Sequence, residues 1–364
     1  MGIKFHACTH RGAPACDLRK SRISQILFTR PAQRHGMASN KIEPMDAVEA
    51  ARNALVVTKG ATAGESVIIF CDPEKRDLGE MFADAGISLG LWTRLVILKA
   101  GEEVRTEPDD WTKEIITACK PELITNVFRS KSGETAYRIK FMKLERRKTD
   151  RIVHCPGISM DMFTEGAAAL TEKGYEEMFA FGDRLKDALK GVHKVHVTCA
   201  RGSDFTLDLG GKEFQVEQGT NIPTGEINVM PPIGDSFQGK LVATSGGTGK
   251  LYRETPAEIL SKDGLAGDVR CKDRKVRDRI LEELNMDPGA RYLGEFALGI
   301  NSKARIVDAF VEAEKVVGTI HVAFGGSYKP SKTHLDLLIE SPTVVAYRGD
   351  GSSFTVMERG RIAV

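Results

Sequence analysis

The chain has 364 residues, of which 28% are charged and 41% hydrophobic, and its formal net charge is +2 at pH 7. This length suits a globular protein of two domains, each with its own core. The near balance of charge excludes the usual reason to expect nucleic acid or an anionic membrane as a partner. No apolar run approaches the roughly 20 residues of a membrane helix.

The seven cysteines are scattered, and the sequence contains no Cys-x-x-Cys pair. Several lie inside apolar segments, which is typical of reduced, buried thiols rather than of a disulfide framework. We therefore expect a cytoplasmic protein.

Residues 1–36 differ from the rest of the chain, because they hold seven Lys or Arg residues against one acid, Asp17. They contain no apolar run suited to a secretory signal. Met37 is placed as a natural start would be. We interpret residues 1–36 as a disordered or non-native extension.

From Asp46 onward, short apolar segments alternate with amphipathic ones. Strands are predicted at 66–71, 94–99, 122–128 and 151–157, with helices between them. The last helix runs into a basic stretch from Arg138 to Arg151, whose charges we expect to face solvent. This alternation is typical of βαβ units, so we predict an N-terminal α/β domain with a parallel sheet at residues 37–190. No G-x-G-x-x-G follows a strand, so no dinucleotide cofactor is expected.

After a helix near 175–190 the pattern changes to short strands separated by Gly-rich turns. Such a pattern is typical of antiparallel β structure. We predict that residues 191–364 form a second domain of α+β, β-rich type.

Two histidines near the C-terminus lie on predicted strands with one apolar face. His321 has Ile320 and Val322 on the opposite side, and His334 is followed at i+2 by Asp336. Alternate residues of a strand project from the same side, so His334 and Asp336 share a face. A single histidine on a strand is more often structural than a ligand, but two imidazoles and a carboxylate on neighbouring strands form a transition-metal ligand set.

Two glutamates extend this set. Glu295 lies in a segment that is apolar on both faces, which indicates a central strand with a carboxylate inside it. A buried carboxylate needs a compensating cation, which could be a metal ion or a basic side chain. Glu226 follows Pro223 and Gly225, which we interpret as a type I turn that ends at the glutamate. Alone, Glu226 could equally be a surface residue at the edge of a turn.

The inventory of three carboxylates and two imidazoles suits two divalent ions. Two such ions carry four positive charges, the carboxylates of Glu226, Glu295 and Asp336 remove three, and a bridging hydroxide removes the last. Paired ions of this kind polarise a carbonyl and generate an attacking hydroxide. Tyr328, in the Gly-rich loop between the two histidine strands, could donate a hydrogen bond to the developing oxyanion.

Four segments carry a resemblance to a known family. They are PTGE at 223–226, LGEFALGIN at 293–301, EKVVGTIHVAFGGSY at 314–328 and THLDLLIESP at 333–342. In this order they resemble the aminopeptidase T/aminopeptidase S family of metallo-aminopeptidases, and the likeness extends more loosely over residues 38–364. The resemblance implies an N-terminal α/β domain, a C-terminal metal-binding catalytic domain and a homodimer.

By the same resemblance, the metal ligands are Glu226, Glu295, His321, His334 and Asp336. The catalytic groups are Tyr328 and the two glutamates. The family function implied is removal of the N-terminal residue from short peptides, with two divalent ions (Zn, Co, Mn or Mg) as cofactors.

The same superfamily contains iron-dependent 2,5-dihydroxypyridine dioxygenases. Their iron site of two histidines and one carboxylate would use His321, His334 and Asp336 alone, with a single Fe(II). This ring-cleaving activity is the alternative function. A non-catalytic binding protein on the same fold is disfavoured, because all five ligand positions and the tyrosine are present.

Overall fold

The computed structural model describes residues 44–131, 133–232, 235–246 and 250–364, together with the backbone of a two-residue strand at Ile26–Leu27. Apart from that strand, the extension predicted at residues 1–36 lies outside the described residues. The proposed domain limits of 37–190 and 191–364 stay predictions.

The N-terminal half of the described chain is an α/β unit around one sheet. Its strands are β1 (Ile26–Leu27), β2 (Ser66–Cys71), β3 (Trp92–Ile97), β4 (Leu123–Phe128) and β5 (Ile152–Pro156), in the order β1-β3-β2-β4-β5. Strands β2 to β5 are parallel, and β1 adds an antiparallel edge. Because both faces are covered, β4 is buried at every position. The predicted parallel sheet is therefore confirmed.

Six helices flank or follow this sheet: α1 (Ala47–Lys59), α2 (Arg76–Ser88), α3 (Asp110–Cys119), α4 (Thr135–Glu145), α5 (Met160–Thr164) and α6 (Glu172–Ala188). The first begins where the sequence predicts it, since the Asp46 side chain accepts a hydrogen bond from the Glu49 amide at 3.0 Å. It ends at Gly60, which takes the left-handed conformation with φ of 59°.

The C-terminal half contains two antiparallel sheets. In chain order the strands are β6 (Val192–Thr198), β7 (Asp204–Asp208), β8 (Gln215–Val216), β9 (Glu226–Val229), β10 (Phe237–Ala243), β11 (Ser245–Gly246), β12 (Ala257–Lys262), β13 (Leu265–Arg270), β14 (Leu293–Gly299), β15 (Thr319–Phe324), β16 (Leu335–Glu340), β17 (Thr343–Arg348), β18 (Ser353–Glu358) and β19 (Arg361–Ile362). Two helices, α7 (Arg274–Leu284) and α8 (Phe310–Ala313), interrupt them. This confirms the predicted β-rich second half.

The smaller of the two antiparallel sheets has the order β11-β16-β15-β14-β9-β8 and carries the predicted ligands. One of its faces packs on the larger sheet, as the edge-to-face contact of Phe324 with Phe237 at 5.3 Å between ring centroids illustrates. The opposite face is turned towards the N-terminal unit. There the backbone of Asn221 forms an isolated parallel β-bridge with His154 of β5. The described helices include none that could cross a membrane.

Candidate metal centre

Strand register brings Glu295 and Asp336 to opposite sides of one residue. Ala323 on the central strand β15 is paired with Glu295 on β14 and with Asp336 on β16. Directly paired residues project from the same face of a sheet, so both carboxylates flank the small Ala323 side chain. A bulge between Leu293 and Glu295 shifts the register there. The side chains of Glu295 and Asp336 therefore project into the same space above Ala323.

The next rows of the same face add His321 and Glu226. His321 is paired with Ala297 of β14, and Glu226 begins β9 opposite Gly299. The residues between the ligands are alanine or glycine, which leaves room above the sheet. His334 lies immediately before β16, and its neighbours Leu335 and Leu337 are buried on the opposite face, as the alternation predicts.

The turn predicted before Glu226 is wrong. Gly225 has φ of 124°, whereas the third residue of a type I turn needs a φ near −90°. A Cβ atom at Gly225 would lie 2.5 Å from the Cβ of Asn301, so the close approach of the two segments requires glycine here. The Asn301 amide donates to the carbonyl of Thr224 at 2.8 Å and holds the start of β9 in place.

The five predicted ligands converge in two groups that share Glu295. One group is Glu226, Glu295 and His321, and the other is Glu295, His334 and Asp336; within each, one ligand atom per residue lies within 4.8 Å of the others. The two oxygens of Glu295 face different groups, with Oε1 3.7 Å from His321 Nε2 and Oε2 3.1 Å from His334 Nε2. Asp336 Oδ1 lies 3.2 Å from His334 Nε2. Glu295 thus belongs to both groups of candidate ligands.

His321 provides a test of whether these residues fit a metal ion. Its side chain is buried, and Nδ1 has no hydrogen-bond partner among the described residues. Its Nε2 lies 3.5 Å from Glu226 Oε2 and 3.7 Å from Glu295 Oε1, at or beyond the limit of an ordinary N–H···O bond. Buried polar groups are normally satisfied, so an imidazole left open beside two carboxylates fits a cation ligand.

A buried lysine that the sequence analysis missed lies beside the centre. Lys315 Nζ donates to Glu226 Oε2 at 2.5 Å and to Glu314 Oε1 at 2.8 Å, and its side chain is only 4% exposed. Glu226 is 89 residues away from Lys315 in the chain, so no local sequence pattern predicts that the two residues pair. Glu314 also forms a third candidate group with His321 and Asp336. Since Glu314 and Lys315 carry opposite charges, they leave the charge balance of the three predicted carboxylates unchanged.

The acids shift the protonation of their neighbours. Burial alone would lower the pKa of His321, but Glu295, Glu314 and Glu226 raise it to about 9. Burial would likewise lower the pKa of His334, which Asp336 and Glu295 raise well above the usual value. Burial raises the pKa of Glu314 to about 7, although Lys315 opposes this. The centre therefore attracts positive charge, which protons or metal ions can supply.

Tyr328 lies on the loop between β15 and β16, where it is half exposed. Its ring packs on Tyr292 at 5.3 Å between centroids, and Lys329 Nζ donates to the Tyr292 hydroxyl at 2.8 Å. These contacts hold the Tyr328 ring against Tyr292, and the catalytic role of Tyr328 stays a prediction.

Comparison with known proteins agrees with this class of site. An antiparallel sheet with carboxylates and imidazoles on one face offers ligands for a divalent metal ion. The family model described as thermophilic metalloprotease (M29) matches residues 171–362, just over half of the chain. The chain therefore belongs to the thermophilic metalloprotease (M29) family, which confirms the predicted family and makes it a metallopeptidase that uses divalent metal.

Two solved structures share the fold. Wild-type AmpT from Thermus thermophilus has 18% sequence identity and a TM-score of 0.60, covering 87% of this chain and 99% of that one. A 2,5-dihydroxypyridine dioxygenase from Pseudomonas putida KT2440 has 16% identity and a TM-score of 0.60, covering 88% and 99%. At these identities the likeness establishes the fold alone. The search of curated proteins found no match.

Proposed function

We propose that this chain is an aminopeptidase that removes the N-terminal residue from short peptides at a dinuclear metal site. The observation that carries the proposal is the position of Glu295, whose two carboxylate oxygens face two different ligand groups. A carboxylate in that position can bridge two ions, whereas a mononuclear site has no need of a second triad.

In this proposal Glu226 and His321 would hold one ion and His334 and Asp336 the other, with Glu295 as a ligand available to both. Carboxylate and imidazole ligands suit Zn, Co or Mn. When bound, two such ions polarise the scissile carbonyl and lower the pKa of a water molecule. We also propose a homodimer and a cytoplasmic location, as the resemblance and the composition suggest.

The chain's own residues orient the reaction. Lys315 fixes one oxygen of Glu226, and Asn228 donates to the other at 3.3 Å, so this ligand is held before substrate arrives. A carboxylate of the ligand set, Glu295 or Glu226, accepts the proton of the attacking water and passes it to the leaving amine. Tyr328 donates a hydrogen bond to the oxyanion of the tetrahedral intermediate.

The alternative, a ring-cleaving dioxygenase with one Fe(II), has less support from the geometry. Its iron would need His321, His334 and Asp336 on a single ion. None of the three candidate ligand groups in the described chain contains both histidines. The metallopeptidase family of the chain also favours the hydrolase.

Metal content and two activities separate these proposals. We expect two Zn, Co or Mn per chain by inductively coupled plasma mass spectrometry, with release of free leucine from leucyl peptides followed by mass spectrometry. One iron per chain, with oxygen uptake on 2,5-dihydroxypyridine, would support the oxygenase instead. A chain that binds no metal and shows neither activity would contradict both.

A further inference from the structure

A cavity of about 360 Å³ opens beside the metal centre. His334 and Asp336 line one side of it, and Arg138 of helix α4 lines another. Its volume is at the lower end of the range for small-molecule sites, about 300–1,000 Å³. The cavity therefore joins the proposed reactive centre to a cationic side chain of the N-terminal unit.

Arg138 has little to compensate its charge. Its guanidinium donates to Thr135 Oγ1 at 3.1 Å, and it forms no ion pair with any described residue. The other basic residues near it in sequence, such as Lys140 and Arg147, are exposed, whereas Arg138 is partly buried. Burial lowers its pKa, because a desolvated guanidinium lacks the water that stabilises its charge. The solvent-facing position expected for this stretch is thus wrong for Arg138.

Acids near Arg138 are already paired. Glu134, one turn away, accepts from Arg129 at 2.6 Å and from Arg105 at 2.9 Å. Glu314, which also lines the cavity, accepts from Lys315 at 2.8 Å.

The remaining cavity acid, Asp336, belongs to the metal centre, where His334 lies 3.2 Å away. No carboxylate that lines the cavity is therefore left to pair with Arg138.

The wall behind Arg138 is neutral. His154 lines the cavity and donates from Nδ1 to the side-chain oxygen of Asn126, whose amide donates to Glu145 at 2.9 Å. Burial, followed by the charge of Arg138, lowers the pKa of His154 to about 3. Burial raises the pKa of Glu145 to about 8. Neither group supplies a negative charge that would balance the guanidinium of Arg138.

We propose that Arg138 binds the free C-terminal carboxylate of a dipeptide or tripeptide whose N-terminal residue is held at the metal centre. This inference rests on the proposed aminopeptidase function and narrows its substrates. Guanidinium and carboxylate match as planar, bidentate partners, and a carboxylate entering this cavity completes a buried charge pair. Ile139 and Phe310, which also line the cavity, offer apolar contacts to the peptide side chains.

The test compares Leu-Leu with its C-terminal amide, Leu-Leu-NH₂. For the wild-type, metal-loaded enzyme we expect kcat/KM to be roughly 10- to 100-fold higher for the free acid, in line with a charge-assisted bond of this kind. In Arg138→Met that preference should collapse towards one, and Arg138→Lys should keep part of it. Arg147→Met removes the same charge from an exposed position just beyond α4 and should retain the wild-type ratio.

A binding measurement keeps the inference separate from catalysis. Isothermal titration with a phosphinic dipeptide analogue and its C-terminal amide should show the same preference in the wild type and its loss in Arg138→Met. Equal treatment of acid and amide by the wild type in both assays would overturn the proposal, and so would a preference that survives in Arg138→Met. If neither peptide is cleaved, the proposed aminopeptidase function is wrong. The titration alone then decides whether Arg138 binds the C-terminal carboxylate.

Discussion

Two clusters of buried charge in the described structure differ in how their carboxylates are balanced by cations. In the N-terminal unit, Asp72, Arg105, Arg129 and Glu134 form a closed set of two acids and two guanidiniums. Arg105 reaches both oxygens of Asp72, at 2.5 and 2.7 Å, and Glu134 at 2.9 Å, while Arg129 reaches Glu134 at 2.6 Å. Each acid there faces a cation with matched geometry.

The metal centre is not closed in this way. Glu226, Glu295, Asp336 and Glu314 converge there, and Lys315 is the only lysine or arginine that the described contacts bring to them. Before the two imidazoles are counted, one positive charge against four carboxylates leaves a surplus of three negative charges.

The comparison shows that a buried carboxylate is by itself a poor indicator of a metal site. Glu134 is as well buried as Glu295, yet it is fully paired within the protein. The informative feature is the unbalanced charge, together with an imidazole whose ring nitrogens find no good donor or acceptor partner. Both features appear only when the whole three-dimensional neighbourhood is assembled.

The largest effect should follow from breaking the bridge at Glu295. Glu295→Gln removes the charge that both triads share, so peptidase kcat/KM should fall by at least about 10²- to 10⁴-fold, the range for loss of a proton-transferring group. Metal content per chain should fall with it, which mass spectrometry measures. Glu134→Gln serves as the control, because it removes a buried carboxylate from the closed cluster and should leave metal content unchanged. A fully active Glu295→Gln enzyme would contradict the account.

The closed cluster should respond in stability instead of metal binding. Glu134→Gln leaves Arg105 and Arg129 with one acid between them, and breaking a buried pair in this way costs about 3–5 kcal/mol. Urea unfolding followed by circular dichroism measures the loss. A loss below about 1 kcal/mol would show that the guanidiniums find water or other partners.

Added metal should stabilise the folded protein by binding at the metal centre, and the closed cluster should play no part in this. At a free zinc concentration of about 100 times Kd, binding to the folded state adds roughly 2.7 kcal/mol to the free energy of unfolding. The midpoint of thermal unfolding should rise accordingly and return when a chelator removes the metal. His334→Ala removes a ligand of one of the two proposed ions and should lose part of this rise, whereas Glu134→Gln should keep all of it from its lower starting point. An equal rise in His334→Ala would place the metal elsewhere.

The smallest effect concerns a partly exposed pair that sharpens the contrast. Arg151 donates to both oxygens of Glu65, at 2.6 and 2.9 Å, and this hydrogen bonding lowers the pKa of Glu65 from 4.5 to about 2. A lowered carboxylate pKa stabilises the fold above the unfolded value and loses that contribution as the pH falls from 4.5 towards 2.

At pH 6 the free energy of unfolding, measured with urea, should be higher for the wild type than for Glu65→Gln by about 1 kcal/mol or less. This is the usual contribution of an exposed ion pair. The difference should shrink towards pH 2.5. A difference that grows on acidification would contradict the assigned pair.

Local patterns in the sequence predicted much of this structure. The alternating faces of β15 and β16 follow from single residues such as Val322 and Leu337, and the buried carboxylate in β14 follows from the apolar residues on both of its sides. What the patterns missed depends on distance along the chain. Lys315 meets Glu226 across 89 residues.

Other misses have the same cause. Arg138 looked like one more charge of a solvated helix, and only its position on the cavity beside the metal centre sets it apart. Gly225 takes its conformation from the close approach of Asn301, which no turn rule contains.

Anomalous diffraction from a crystal soaked in zinc tests the central claim most directly. The account predicts two zinc peaks per chain, one on either side of Glu295, the first beside Glu226 and His321 and the second beside His334 and Asp336. A single peak, with no zinc beside Glu226, would contradict the dinuclear centre.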